Sequence, residues 1–257
     1  MFYAPSGRRE EAVLTDLPVI DFHTHVLHEM DDGSESVEMS LEMLRKTREA
    51  GVGIVVSTSH YYRKRESISS FVARRAEKLA QLLPHLDASC SGVVPGAEIA
   101  LYFGIEEDPD LDKLCIGDSR ALLIEMPFQS WGPYEINALS SLCHDRRFTV
   151  ILAHYERFAE FQKNNELYSD VLKLPLYVQI NALSLTFGLR SGKWLGMFRD
   201  GSAHLLGSDC HNMDSRPPDL DRGREAIRRK LGTDVLDRID RNAVSLLLGK
   251  KPRRTSL

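Results

Sequence analysis

The sequence predicts an α/β protein built on a parallel, barrel-like sheet. Three observations carry that expectation. Seven short runs are almost continuously apolar, the pattern of strands covered on both faces. Helical periods or long loops separate them, the alternation that gives parallel sheets. Histidines and carboxylates recur at the C-terminal ends of these runs, where barrels of this kind place their active sites.

In chain order, residues 1–17 read as a polar N-terminal extension, 18–250 as a single barrel domain and 251–257 as a C-terminal tail. The strand candidates are Pro18–Phe22, Gly53–Thr58, Gly92–Ile99, Ala121–Met126, Phe148–Ala153, Leu176–Asn181 and His204–Ser208. After the first, Val37, Leu41 and Leu44 share one helical face, and Gly51 ends that helix. Val72, Ala76, Leu79 and Leu83 make a second apolar stripe, and Ile136, Leu139 and Leu142 a third. The last helix, around Ala226, Ile227 and Leu231, is basic on its outer face. No internal repeat, low-complexity tract or linker marks a second domain.

Composition excludes several classes. The chain has 257 residues, 42% apolar and 27% charged, ordinary for a globular protein with a large core. Its 33 basic and 37 acidic residues leave a formal charge of −4, so there is no basic footprint for nucleic acid. No run approaches the roughly 18 apolar residues of a membrane span. The N-terminus, MFYAPSGRREEAVLTDLP, lacks the apolar middle of a signal peptide. Cys90, Cys115, Cys143 and Cys210 form no CxxC pair and suit a reducing compartment, so a cytoplasmic location is expected.

The strand ends carry the chemistry. The first closes on His23-Thr24-His25, and period-2 geometry sends both imidazoles to one side. The second ends in His60, the third in Glu98, the fourth in Glu125 and the fifth in His154. The seventh ends in Asp209-Cys210-His211, another pair spaced by two, and Asp31-Asp32-Gly33 follows the first strand as a turn. Six separate strand ends with His, Asp or Glu make a joint signal that no single one supplies. Imidazole and carboxylate donors without thiolates favour Mn, Fe or Zn in a catalytic setting over structural zinc. Asp32, Glu98, Glu125 and Asp209 bring four negative charges, and His23, His25, His60, His154 and His211 five neutral donors. Nine donors exceed one ion's needs and suit two or three ions sharing carboxylates. Three divalent ions against four carboxylates leave about two positive charges in excess, suited to a phosphate dianion, and metal-bound water with a pKa of ~7 gives a hydroxide nucleophile.

Arg157, three residues beyond His154, and Arg216, five beyond His211, lie on rim loops beside these donors. Guanidinium forks pair bidentately with phosphate oxygens, so both are candidate catalytic and substrate-binding residues. Cys210 to Arg216 also matches the C-x5-R spacing of cysteine-dependent tyrosine phosphatases. That reading fails, because such a loop needs clear backbone N–H groups before a helix N-terminus. Here Met213 and Asp214 lie inside the loop, Pro217-Pro218 follows, and strand alternation turns Cys210 away from the site.

These residues resemble the polymerase and histidinol phosphatase (PHP) superfamily, and most closely its bacterial tyrosine-phosphatase branch from capsule and exopolysaccharide loci. The similarity runs from Ile20 to about Asn242. It rests on Asp21-Phe22-His23-Thr24-His25, Asp31-Asp32-Gly33, Thr58-Ser59-His60, Gly96-Ala97-Glu98, Ile124-Glu125, Ala153-His154-Tyr155-Glu156-Arg157, Gln179-Ile180-Asn181-Ala182 and Ser208-Asp209-Cys210-His211-Asn212 with Arg216-Pro217-Pro218. The resemblance implies a distorted (β/α)7, TIM-like barrel with three divalent ions, most often Mn²⁺, with Fe or Zn as alternatives. It implies His23, His25, Glu98 and Asp209 at the first ion, Glu98, Glu125 and His154 at the second, and Asp32, His60 and His211 at the third. It also implies a phosphoric monoester hydrolase acting on a phosphotyrosine protein, the tail of a bacterial tyrosine kinase that controls capsule synthesis. Two departures are the longer extension before Asp21 and His28 where many relatives have proline. His28 reads as a loop residue, with an extra acid or rim ligand as the other reading. The choice of Asp32 over Asp31 rests on the resemblance alone. Tyr61, Tyr62, Phe128, Trp131 and Tyr155 are candidates to flank a tyrosine ring.

The nearest rival is a metal-dependent phosphatase of a small, histidinol-phosphate-like metabolite. An amidohydrolase-type enzyme also opens with HxH, but Glu125 stands where many binuclear members have a carbamylated lysine. A non-catalytic PHP binding module is disfavoured by the intact donor set.

Overall fold

The computed structural model describes residues 17–163, 165–186 and 188–248. Residues 1–16 of the predicted extension, 249–250 of the predicted domain and the predicted tail lie outside the described residues. Nine strand segments form among the described residues: β1 (Ile20–Thr24), β2 (Ile54–Ser57), β3 (His60–Tyr61), β4 (Gly92–Pro95), β5 (Glu98–Ala100), β6 (Ala121–Glu125), β7 (Thr149–Leu152), β8 (Tyr177–Asn181) and β9 (Leu205–Gly207). The helices are α1 (Val37–Glu49), α2 (Ile68–Leu82), α3 (Pro133–His144), α4 (Leu167–Asp170), α5 (Ser191–Asp200), α6 (Leu220–Leu231) and α7 (Thr233–Leu247).

Pairing is parallel in two sheets, one ordered β1-β2-β4 and the other β3-β5-β6-β7-β8-β9. They adjoin where β1 meets β9: Thr24 pairs with Cys210 as an isolated parallel bridge. There His25 N donates to Cys210 O at 2.8 Å and Asp209 N to His23 O at 2.8 Å. The result is a curled parallel sheet.

Each predicted run contains a strand, but the second, Gly53–Thr58, holds only β2, with β3 a separate strand just beyond it, and the third is split into β4 and β5. The breaks fall at Thr58-Ser59 and Gly96-Ala97, where the chain passes from one sheet to the other. A Cβ on Gly96 would lie 3.1 Å from Ile116 Cγ1, so the bend passes closest where a side chain is missing. Beyond the breaks, β3 and β5 pair His60 with Glu98 in register. The bends therefore serve the site.

Alternation along the strands divides the core in two. Ile20, Phe22, Val56, Val94, Leu123, Ile151 and Leu205 pack inside the curl with Ala243 and Leu246 of α7. Leu122, Ile124, Val150, Leu152 and Leu206 face outward to the other helices. Ser36 caps α1 by accepting from Met39 N at 3.2 Å, and Gly51, at φ +83°, follows its end. On α2 the fully buried side chains include Phe71 and Leu82, with Val72 only partly buried, so the real stripe is rotated from the predicted one.

Candidate metal centre

The strand geometry delivers its donors to one rim. His23 lies in β1 with His25 one residue past it, His60 opens β3, Glu98 opens β5 and Glu125 closes β6. His154 follows β7, and Asp209 and His211 follow β9. His154 and Asp209 both adopt positive φ, 27° and 57°. Left-handed backbone at non-glycine residues costs of order 1–3 kcal/mol and concentrates at functional sites. Two glycines let backbones close on the first strand. A Cβ on Gly33 would sit 2.4 Å from His25 O, and one on Gly207 would sit 2.6 Å from His23 Cβ.

His23 Nε2 lies 3.0 Å from Glu98 Oε2 and 3.1 Å from His25 Nε2. His25 Nε2 lies 3.3 Å from the same Glu98 oxygen, and both rings reach Asp209 Oδ1 at 3.5 Å. Ligand atoms around a tetrahedral ion at ~2.1 Å are separated by about 3.4 Å, so these four atoms have the spacing of one coordination sphere. The other Glu98 oxygen, Oε1, is 2.7 Å from His154 Nε2, which is 3.4 Å from Glu125 Oε1. Asp32 Oδ1 lies 3.7 Å from His60 Nε2 and 3.6 Å from His211 Nε2. Tight groups, with donor atoms within 4.8 Å of one another, are His23–His25–Glu98, His23–His154–Asp209, His25–His60–His211 and His60–Glu98–Glu125. Eight of the nine predicted donors fall in them; Asp32, 68% exposed, stands at the edge.

A second layer orients these rings. His25 Nδ1 donates to Asp31 Oδ2 at 2.7 Å, His23 Nδ1 to Gln179 Oε1 at 3.1 Å and His211 Nδ1 to the Asp209 carbonyl at 2.9 Å. With each Nδ1 occupied, the Nε2 lone pair is left to face the centre. Asp31 also accepts from His60 N and Gly33 N, so its carboxylate is already engaged while the Asp32 carboxylate is open. Gln179 donates to Asn181 Oδ1, and Asn181 donates to Asp209 Oδ2 at 2.9 Å. Asp31, Gln179 and Asn181 are supporting residues to which sequence reasoning gave no role, although the spacing by two of Gln179 and Asn181 at a strand end was a signal.

The electrostatics fit a cation. His60 Nδ1 is 3.1 Å from Glu98 Oε2, yet among the described residues neither it nor the buried His211 Nε2 has a hydrogen-bond partner. Burial alone would lower His154, but Glu98 and Glu125 raise it to about 10; Asp31 and Glu98 likewise hold His25 well above its ordinary value. Burial, with His25 beside it, lowers His211 to about 3. Burial disfavours the Glu98 anion, but His23 and His154 outweigh it and hold the carboxyl well below its usual range. Protons on His25 and His154 neutralise carboxylates that bound ions would neutralise instead.

Both arginines reach this rim. Arg216 Nη2 is 2.8 Å from Asp209 Oδ1, and Arg157 Nη1 is 3.4 Å from Asp209 Oδ2. Their side chains are 39% and 42% exposed, free to turn toward a ligand. Asn212 Oδ1 accepts from the amides of Asp214, Ser215 and Arg216, fixing the loop that carries Arg216. Cys210 is fully buried, and burial pushes its thiol well above its ordinary value, the reverse of a nucleophile's. His28 is buried against α2, with Nε2 2.9 Å from Gln81 Oε1. Of the aromatic candidates, Tyr61, Trp131 and Tyr155 are buried packing residues. Tyr62 stacks on His60 at 5.3 Å and Phe128 on His154 at 6.1 Å, flanking the centre from two sides.

The family model for capsular polysaccharide synthesis proteins, CpsB/CapC, matches residues 19–248. The chain belongs to the CpsB/CapC family. Among its relatives is tyrosine-protein phosphatase CpsB of Streptococcus pneumoniae, 27% identical over 226 residues that cover 83% of this chain and 91% of the relative. Tyrosine-protein phosphatase YwqE of Bacillus subtilis is 28% identical over 236 residues, covering 89% and 91%. Among solved structures, one from work on YwqE from Bacillus subtilis and CpsB from Streptococcus pneumoniae, described as unique metal-dependent tyrosine phosphatases, superposes with a TM-score of 0.79 at 24% identity. It covers 91% of this chain and 96% of that one and shares the fold. The lactonase Lmo2620 from Listeria monocytogenes is more distant, with a TM-score of 0.53 at 11% identity and the same coverage of both chains.

Proposed function

We propose that this CpsB/CapC member is a metal-dependent protein-tyrosine phosphatase, a phosphoric monoester hydrolase. The observation that carries the proposal is one rim where buried imidazoles and carboxylates converge beside two half-exposed arginines. The proposal includes a single domain over 18–250 on a distorted (β/α)7 barrel, counting β2–β3 and β4–β5 as one strand each. It assigns three divalent ions, most often Mn²⁺. His23, His25, Glu98 and Asp209 hold the first, Glu98, Glu125 and His154 the second, and Asp32, His60 and His211 the third. When bound, the ions supply Lewis-acid charge and lower the pKa of coordinated water to about 7.

The chain's own residues do the rest. Arg157 and Arg216 each offer a guanidinium fork to the phosphate oxygens, and both now rest against Asp209, from which a phosphate dianion would draw them. Tyr62 and Phe128 provide apolar walls for an aromatic ring. Glu98, Glu125, Asp32 and Asp209 are committed to ions and cannot readily donate protons. A phenol, with a pKa near ~10, needs less proton donation to leave than an alkyl alcohol does. The substrate is therefore phosphotyrosine, in the tail of a bacterial tyrosine kinase serving capsule synthesis in the cytoplasm. No helix among the described residues is long and apolar enough to cross a membrane.

The test compares kcat/KM for a phosphotyrosine peptide, a phosphoserine peptide and histidinol phosphate, before and after chelation and with Mn²⁺ restored. Phosphotyrosine turnover that chelation abolishes and Mn²⁺ restores is expected. An alkyl phosphate turned over as well as phosphotyrosine would make this a metabolite phosphatase, and full activity without metal would remove the mechanism.

A further inference from the structure

A cavity of about 430 Å³ opens beside the metal centre, lined in part by Phe128, Glu156, Arg157, Phe161, Arg190 and Trp194. It is continuous with the site through two side chains: Phe128 stacks on His154, and the Arg157 guanidinium lies 4.9 Å over Phe128 while also reaching Asp209. Three properties define what it takes. Its charged lining balances, Glu156 and Glu160 against Arg157 and Arg190, so it does not select a strongly charged ligand. Part of its lining is apolar and exposed. Of the large apolar side chains exposed among the described residues, Phe128 and Phe161 line it, and Leu183 and Leu189 are chain neighbours of the lining residues Ser184 and Arg190. Its wall also holds an unused acceptor. Glu156 is 7% exposed; Oε1 accepts from Asn181 N and Ser184 Oγ, while Oε2 has no partner among the described residues. A buried carboxylate oxygen without a donor is costly, and a ligand N–H would satisfy it.

Building on the phosphatase reading, we propose that this cavity is a subsite for the peptide flanking the phosphotyrosine, accepting a main-chain N–H on Glu156 and an apolar side chain against Phe161, Trp194 and Phe128. The enzyme then reads the sequence next to the phosphotyrosine, and Arg157 marks the boundary between the phosphate and flank subsites. The cation–π contact of Arg157 with Phe128 links the two subsites.

The experiment measures kcat/KM of the Mn²⁺-loaded enzyme on p-nitrophenyl phosphate and on phosphotyrosine peptides with Leu, Gly or Glu as the flanking residue. The wild type is expected to prefer the Leu flank over Gly by about tenfold, the range of a small hydrophobic pocket. Phe161→Ala should erase that preference. Glu156→Gln should lower the ratio of peptide to p-nitrophenyl phosphate kcat/KM by about tenfold for all three peptides, as loss of one acceptor for a ligand N–H. Ratios equal to wild type in both variants, or a wild-type preference for the Glu flank, would overturn the subsite. Failure of the phosphatase reading looks different: the wild type would then turn over p-nitrophenyl phosphate but no phosphotyrosine peptide of any flank.

Discussion

Adjacent and chemically identical, Asp31 and Asp32 have different jobs set by what surrounds them. Asp31 is spent on His25 Nδ1 and two amides, whereas Asp32 faces solvent between His60 and His211. Asp31→Asn is expected to weaken Mn²⁺ binding about 10–100-fold, as loss of a carboxylate behind a ligating histidine does, measured by calorimetric titration. Unchanged affinity would show that the Asp31–His25 contact does not orient the ligand. Arg157→Ala and Arg216→Ala should each cost about 1.5–3 kcal/mol in kcat/KM, the worth of a hydrogen bond to a charged group, with metal content intact. Inorganic phosphate should inhibit both less than the wild type, and equal inhibition would dismiss the arginines as phosphate ligands. Asp219 provides a test of pH dependence. Burial and the neighbouring Asp21 raise it to about 7, and its Oδ1 has no partner among the described residues. Between the unfolded carboxyl pKa of about 3.9 and the folded value near 7, the folded chain holds a proton the unfolded chain has lost, so stability falls as pH rises through that window. Asp219→Asn should flatten this decline and raise the Tm at pH 8 by a few degrees. A decline in Tm as steep as that of the wild type would assign the effect to other groups.

At the scale of strands and turns, legibility in the sequence depended on whether the signal was local. Runs buried on both faces announce themselves through unbroken apolar residues, and the donors at their ends stand out as polar residues closing apolar runs. The breaks at Thr58-Ser59 and Gly96-Ala97 leave no such mark, because the change of sheet there is decided by which distant strand lies alongside. The rotated face of α2 was hidden for the same reason: periodicity gives an apolar stripe, while packing chooses which residues on it are fully covered. Asp31 against Asp32 could not be read, because only three-dimensional neighbours tell them apart. Close approach was equally invisible at Gly207. Gly207→Ala would put a methyl 2.6 Å from His23 Cβ and 2.9 Å from Gln179 Nε2, so it should lower stability by about 1–3 kcal/mol, as overpacking does, and reduce Mn²⁺ affinity. Gly196→Ala, on α5 with open space around the new methyl, should instead stabilise by about 0.5–1 kcal/mol. Equal effects of the two on Tm would mean that the β9 backbone has room to withdraw from β1.

For the molecule as a whole, the proposed ions tie two sheets together. His23 and His25 come from or follow a strand of one sheet, while His60, Glu98, Glu125, His154 and Asp209 come from or follow strands of the other. Binding that only the folded chain can make stabilises it by about 2.7 kcal/mol at a hundredfold excess over Kd. For a chain of this size each kcal/mol moves Tm by about 2–4 °C, so each strongly occupied site should add several degrees. Scanning calorimetry across a Mn²⁺ series should show Tm rising with the logarithm of free Mn²⁺, and chelated protein should melt lowest. A Tm indifferent to Mn²⁺ would mean that the rim does not bind it.

The junction of β1 with β9 also sets a schedule. His23 and Asp209 exchange a backbone hydrogen bond across 186 residues of chain, and in the proposed assignment both grip the same ion. During synthesis the ribosome emits His23 and His25 well before Asp209, so a partly made chain presents two histidines with neither the neighbouring strand nor the closing carboxylate. The first ion site, as proposed, can be completed only after Asp209 has emerged and β9 can reach β1, so an ion cannot close its coordination there on the early segment alone.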